Sequence, residues 1–426
     1  MTIRNWAGNV AFKPATFQQP RTQEELQSAV ARSDRCRVIG TGHSFSPLVV
    51  TDHDLISLAL LPPLIQIDRD RLEVRVGASI RYGELSATLH ANGFALANLG
   101  SLPHISVAGA CSTGTHGSGS GNGCLATAVR CIELVAASGE IISVSPESHP
   151  DTFNGHVVNL GSLGVLLTLT LAIEPTYFVS QVVYDSMDFE VAFESLDEIL
   201  AGGYSVSLFT SWSGAHFDQV WRKCRAAGAD RQQDDWFGAR RAVVARHPVP
   251  GMAPDVCTEQ LDVVGPWHER LPHFRLDFKP SVGEELQSEY LIDRADAPMA
   301  LRLLQSISAH IRSVLQTCEI RSVAHDELWL SPAYNRESVA IHFTWTPDVA
   351  AVRDVLSQIE GLLTPFAPRP HWGKVFNLNE HTIAATYPRF NDAVALAQYY
   401  DPTGKFVNAF TSQYLTSQHP PRKLTP

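Results

Sequence analysis

The chain has 426 residues, a net charge of −11, and 18% charged and 44% hydrophobic residues. That acidic balance leaves no lysine and arginine excess to neutralise phosphates, which argues against a nucleic-acid partner. No apolar run of 18 residues and no basic-led apolar start is present, so neither a membrane span nor a signal peptide is expected. Seven cysteines, an odd number with no CxxC spacing, point to free thiols in a reducing compartment, and a cytoplasmic monomer is the expectation.

Two domains are expected at this length. The N-terminal third reads as α+β. Thr22 and Glu25 have capping-box spacing, with Leu26, Ala29 and Val30 at helical period behind them. Val38-Ile39 reads as a strand leading into the loop Gly40-Thr41-Gly42-His43-Ser44-Phe45. Leu72, Val74 and Val76 alternate with charged residues as a half-buried strand. Tyr82, Leu85 and Leu89 mark a helix closed near Asn92-Gly93. Residues 113–123 form a glycine-rich loop. Strands follow at Val129–Val135 and Ile141–Val144, turned at Ser138-Gly139, and at Leu166–Ile173, with Glu174-Pro175 as the exit and domain boundary.

The middle region reads as strands Ser205–Trp212, Phe274–Phe278, Leu286–Ile292 and Ser338–Trp345, with a helix over Ala297–Leu315. A Pro- and charge-rich excursion occupies roughly residues 225–270. Near the C terminus, Pro402–Gly404 reads as a turn and Phe406-Val407 as a short strand.

Several motifs fail on context. Residues 40–45 lack the GxGxxG pattern, and Gly121–Ala126 fits only GxGxxA, after a glycine run instead of a strand. His268 and His273 are five apart with Pro272 between them, so they do not make HExxH. No GxSxG occurs. The two glycine loops, 40–45 and 109–123, can instead wrap a pyrophosphate with backbone N–H groups and the hydroxyls of Ser106, Thr113 and Thr115. His43 at the centre of the first favours a cofactor over two ordinary turns.

A second polar set lies further on. Glu319 and Arg321 are two apart, as are His342 and Thr344, so on strands each pair shares a face. A solvated sheet face is the bland interpretation. Phe, Trp and Ile at the alternate positions favour strands packed on a core on one side and lining a cleft on the other. Such a cleft, dense in donors and acceptors, suits a polyhydroxylated ligand.

Arg37–Phe45 and Gly109–Gly117 resemble the FAD domain of the vanillyl-alcohol oxidase class. Residues 5–9 (NWAGN), 101–109 (SLPHISVAG), 265–274 (GPWHERLPHF), 286–291 (LQSEYL), 315–321 (LQTCEIR) and 370–374 (PHWGK) are similar to the alditol (xylitol) oxidases. The resemblance implies a two-domain α+β fold: an FAD domain at 1–178, a sheet-based substrate (cap) domain at 179–372, and a return to the FAD domain at 373–426. It implies FAD linked through its 8α-methyl carbon to His43. Ile39, Gly40, Thr41, Gly42, Ser44, Phe45, Ser101, Ser106, Gly109, Thr113, Gly114, Thr115, His116, Val165 and His371 would surround the cofactor. Ser101, Glu319, Arg321, Thr344 and Lys374 would contact substrate. Lys374 and Arg321 would hold the reacting hydroxyl, with His342, or alternatively Lys374, as proton acceptor. Glu319 would restrain Arg321 by a bidentate pair. The implied activity is oxidation of the terminal alcohol of xylitol or sorbitol to the aldose, with O2 reduced to H2O2. An aldonolactone oxidase on the same fold is the alternative.

Overall fold

The computed structural model describes residues 3–226, 233–278 and 284–415, so residues 227–232 of the expected excursion and 416–426 of the expected return lie outside the described residues. After a two-stranded antiparallel pair, Ile3–Arg4 with Ala11–Phe12, comes a three-stranded parallel sheet in the order Thr16–Gln18, Asp54–Ser57, Cys36–Ile39. The helix Gln23–Arg32 makes its crossover and buries Leu26, Ala29 and Val30. Thr22 caps it by accepting from the Glu25 N–H at 3.2 Å, while Glu25 reaches back to the Arg21 N–H at 2.7 Å, one residue beyond the amide a full capping box uses.

An antiparallel sheet follows, in the order Ile141–Val144, Val129–Val135, Val165–Ala172, Glu73–Gly77, Ile65–Asp68. Val74 and Val76 are fully buried, as their alternation requires. Leu72 is outside the strand: it turns the preceding hairpin at φ +52° and is 40% exposed. The helix Tyr82–Ala91 ends before Gly93 at φ +85°, a conformation glycine adopts without strain. The short helix Val107–Ser112 feeds the second glycine loop.

Residues 178–370 build a large antiparallel sheet. Its central order is Phe178–Asp188, His216–Arg225, Ser205–Thr210, Leu315–Val323, Ser338–Trp345, Leu286–Asp293, Arg369–Pro370. One face belongs to the apolar core: Cys318, Ile320, Ile341 and Phe343 are completely buried there, in one cluster with residues of the helices Ala297–Ser306 and Val349–Leu363. The opposite face carries polar side chains.

Four expected elements differ. The helix expected over 297–315 breaks at Ile307, after Ser306 turns its hydroxyl onto the Leu303 carbonyl at 2.6 Å, and Leu315 already belongs to the next strand. The strand at Ser205 stops at Thr210, before Trp212 at φ +55°. Residues 274–278 make one bridge, Phe274 to Cys257, and no strand. Backbone groups of this stretch and of the preceding His273 go instead to loops: His273 N–H to Ser101 O at 3.1 Å, Arg275 N–H to Val256 O at 3.0 Å, and Leu276 O to the His104 ring at 2.9 Å. Phe406-Val407 is a turn, because the Asp401 carboxylate takes the N–H groups of Lys405 and Phe406, each at 2.7 Å.

That turn anchors the C-terminal return. Lys405 Nζ donates to the carbonyls of Val30, Ala31 and Ala137 at 2.8, 3.2 and 2.9 Å. Buried Arg37 donates to the carbonyls of Leu48, Leu160, Gly161 and Phe406 at 2.9, 2.8, 2.9 and 2.6 Å. All seven cysteines are free, and no helix among the described residues is long and apolar enough to cross a membrane.

Candidate active site

A cavity of about 760 Å³ is lined by both glycine loops and by the polar face of the large sheet. At one end are Ile39, Gly40, Thr41, Gly42, His43, Ser44 and Phe45, facing Ser106, Gly109, Thr113 and Thr115. The first loop approaches the second segment so closely that a Cβ on Gly40 would lie 2.7 Å from Ser106 Oγ. The segment Asn5–Asn9 braces the first loop. Asn5 Nδ2 donates to Ser44 O and Asn9 Nδ2 to Phe45 O, both at 2.9 Å, and Trp6 stacks on the His43 ring at 5.4 Å.

His43 Nδ1 meets Thr41 Oγ1 at 3.1 Å, whereas Nε2 is buried with no hydrogen-bond partner. Burial, reinforced by His104 and Arg81, pushes its pKa down to about 4. The ring is therefore a neutral base at physiological pH. An orphaned, neutral imidazole between two close backbone loops fits a dinucleotide cofactor. Gly114 and Val165 do not line the cavity, and their neighbours Thr113, Thr115, Gly164 and Leu166 do. Gly114 turns toward Pro332, and Val165 sits in the core of its sheet.

Three adjacent strands form the other end. Glu289 pairs across with His342, and His342 with Glu319, in one row. Gln287, Thr344 and Thr317 form the next row. Period-two alternation puts Glu289, Glu319, Arg321, His342 and Thr344 on the cavity side, all at most 8% exposed. The solvated-face interpretation is thereby excluded. Lys374 arrives on the loop after Pro370, held beside the same strands by backbone bonds from His371 N to Glu289 O at 3.0 Å and Val375 N to Gln287 O at 2.8 Å. Phe45 N bonds Gly373 O at 2.7 Å, which ties this loop to the His43 loop.

Glu289, absent from the sequence-based set, is the hub. Its Oε2 accepts from Lys374 Nζ at 2.6 Å and its Oε1 from Arg321 Nη2 at 2.5 Å. His116 Nε2 is 3.4 Å from Oε2. Burial alone would raise this carboxyl, but Lys374, His116 and Arg321 outweigh it and hold the pKa well below the usual range. The expected bidentate Glu319–Arg321 pair does not form. Glu319 Oε1 lies 3.6 Å from Arg321 Nε and instead accepts from His273 Nε2 at 2.8 Å, since Arg321 is already committed to Glu289. His273 is a second residue that sequence reasoning missed. Both signals are present in the sequence: Glu289 is two residues from Gln287 on a predicted strand, and His273 stands in the segment that fails as a zinc motif.

His342 Nδ1 lies 2.8 Å from Lys374 Nζ, and Nε2 lies 3.2 Å from Thr344 Oγ1. Burial, then the Lys374 charge, hold it well below the ordinary histidine pKa. Burial also lowers the Lys374 ammonium, partly offset by Glu289. Ser101 Oγ accepts from Arg321 Nη1 at 3.3 Å. His371 Nε2 meets Thr115 Oγ1 at 3.2 Å, and burial with the Lys374 charge depresses its pKa strongly.

Residues 14–145 match the FAD binding domain family and residues 283–415 the D-arabinono-1,4-lactone oxidase family. Alditol oxidase from Streptomyces sp. is 48% identical over 97% of this chain and 99% of that protein. L-Gulonolactone oxidase from Mus musculus is 26% identical, covering 96% of this chain and 97% of its own. The crystal structure of cholesterol oxidase from B. sterolicum superposes with a TM-score of 0.78 at 13% identity, covering 97% of this chain and 96% of that one, which establishes the shared fold. Fold and site thus define an FAD-binding oxidoreductase with the two-domain α+β fold of the vanillyl-alcohol oxidase class. Within that class, the chain belongs to the alditol oxidase family.

Proposed function

We propose that the protein oxidises the terminal primary alcohol of alditols such as xylitol and sorbitol to the aldose, with O2 reduced to H2O2. The observation that carries this is the buried polar row Glu289–His342–Glu319, with Arg321 and Lys374, facing the same cavity as His43. The 48% identity to alditol oxidase supports it. In this reading residues 1–178 and the return from 373 hold the cofactor, and 179–372 the substrate. His43 tethers the FAD covalently. Ser106, Gly109, Thr113, Thr115 and His116 flank it, with Ser101 and His371 at the junction with the substrate.

Bound FAD would supply the hydride acceptor and carry the electron pair to oxygen. The chain does the rest. Arg321 and Lys374 hold the reacting hydroxyl and stabilise alkoxide character as its proton leaves. Glu319 and Thr344 bind further hydroxyls and fix the chain of the polyol. Both nitrogens of His342 are engaged, Nδ1 by Lys374, so the alcohol proton passes to Lys374 Nζ as Lys374 gives one to His342 Nδ1. The resulting imidazolium is stabilised by Glu289 Oε1 at 3.7 Å.

The deciding experiment compares anaerobic bleaching of the flavin, and aerobic peroxide release, with xylitol, sorbitol and L-gulono-1,4-lactone. Faster bleaching by the lactone than by either polyol overturns the reading in favour of a lactone oxidase.

A further inference from the structure

Lys223, on the strand His216–Arg225, takes no part in the chemistry above, yet it is only 1% exposed. A lysine this deep must place every N–H. Its Nζ reaches three acceptors: Leu271 O at 2.6 Å, Pro272 O at 3.3 Å and His273 Nδ1 at 3.2 Å. An ammonium has three N–H groups, so the count closes with Lys223 charged. His273 Nδ1 is then an acceptor, and the ring proton resides on Nε2, which faces Glu319 Oε1 at 2.8 Å. The contacts of His273 and Arg321 with Glu319 both fall on Oε1, so among the described residues Oε2 is left to a ligand.

We propose that Lys223, acting through His273, is a positioning residue for Glu319: it fixes the imidazole as a donor, so that Glu319 presents an acceptor-only oxygen to the cavity and selects a ligand offering a hydroxyl there over one offering a carboxylate. This rests on the polyol reading of the site. The same geometry defines what happens when Lys223 loses its proton. A neutral amine has two N–H groups for three acceptors, and Pro272 O is still served by Thr258 Oγ1 at 2.7 Å. The amine can then donate to His273 Nδ1 or accept from it, so the ring is no longer fixed as an Nε2–H donor. The tautomer with a bare Nε2 repels the Glu319 carboxylate, and Glu319 is held less firmly.

The groups that face this chain are few. Glu319 and Cys257 favour the charged lysine, and Arg321 opposes it. His342 faces Glu319 from the next strand. Burial brings the Lys223 ammonium down to about 7, so its change of state falls within the working range of pH. The sign follows: affinity for a polyol is high below that value and falls as pH rises through it.

The test uses the flavin-loaded protein and anaerobic stopped-flow bleaching by xylitol between pH 6 and 9, which separates Kd from the limiting rate. Wild type is expected to lose about tenfold in affinity across this range, the scale of one charge-assisted hydrogen bond. In Lys223→Met the Kd is already about tenfold higher at pH 6 and does not change with pH, with a smaller effect on the limiting rate. The ratio of Kd for xylonate, followed by the flavin difference spectrum, to that for xylitol narrows by a similar factor. In His273→Gln, whose side-chain amide donates to Glu319 without help from Lys223, affinity stays high and the pH dependence is lost. Wild-type pH dependence in either variant overturns the proposal, and His273→Gln alone decides it if Lys223→Met does not fold. If xylitol and sorbitol leave the wild-type flavin unbleached, the polyol reading itself has failed, and the proposal with it.

Discussion

Glu289 and Lys374 are 85 residues apart in sequence and meet at 2.6 Å inside the protein. The carboxylate that holds the lysine also holds Arg321, so one anion compensates two buried cations. Removing a partner from such a cluster leaves uncompensated charge, which costs about 3–5 kcal/mol. Glu289→Gln is therefore expected to lower the urea midpoint by a corresponding amount and to slow flavin bleaching by xylitol. An unchanged midpoint would show that the cations are neutralised by other means.

Lys374→Ala removes the proposed contact to the reacting oxygen while leaving the other polar groups of the sheet in place. Flavin bleaching by xylitol is expected to slow by about 10²-fold or more, the scale of a positioned electrostatic donor. A limiting rate near that of wild type would take Lys374 out of the proton path.

His43→Ala tests the tether. The wild-type protein, precipitated with acid and washed, should keep its yellow colour in the pellet. The variant should release it to the supernatant while retaining its fold by circular dichroism. Acid-stable colour in the variant would place the attachment elsewhere.

His156 and His273 are two of the buried histidines that shape the acid limb of stability. Burial pushes both His156 and His273 down to about 4, whereas in the unfolded chain each titrates near about 6.5. Between these values the unfolded state binds more protons, so stability falls as pH drops from about 6.5 toward 4. The depressed carboxyls Glu289 and Glu319 add a second loss in the same direction: their contribution is complete above about pH 4.3 and disappears as pH falls through their lower folded values. Urea midpoints at pH 7, 5.5 and 4.5 should decline stepwise, and His156→Gln should flatten the first step. A flat profile down to pH 4.5 would contradict the neutral burial of these rings.

Much of this is legible in the sequence because the informative patterns are local. Strand alternation brings out the shared face of Glu319 and Arg321, and of His342 and Thr344. Glycines around His43 mark the cofactor loop. What alternation does not reveal is which strands are neighbours. Glu289 becomes a hub only because Leu286–Asp293 pairs with Ser338–Trp345, and only that register places it opposite His342. The Glu319–Arg321 pair is expected from proximity in sequence, yet Arg321 turns to the carboxylate two strands away. Leu72 and Phe406-Val407 match strand composition, but Leu72 sits at φ +52° and the N–H groups of Phe406 and Val407 go to Asp401 and Gly404, which apolar character does not report.

Arg37 draws its acceptors from residues 48, 160, 161 and 406. Three of these are made well before the fourth. Phe406 itself lines the cavity that would take the cofactor. The pocket walls are therefore complete only once residue 406 has left the ribosome. A nascent chain stalled short of residue 406 would be left with an open, unclasped cradle, and cofactor capture is expected to follow synthesis of that segment.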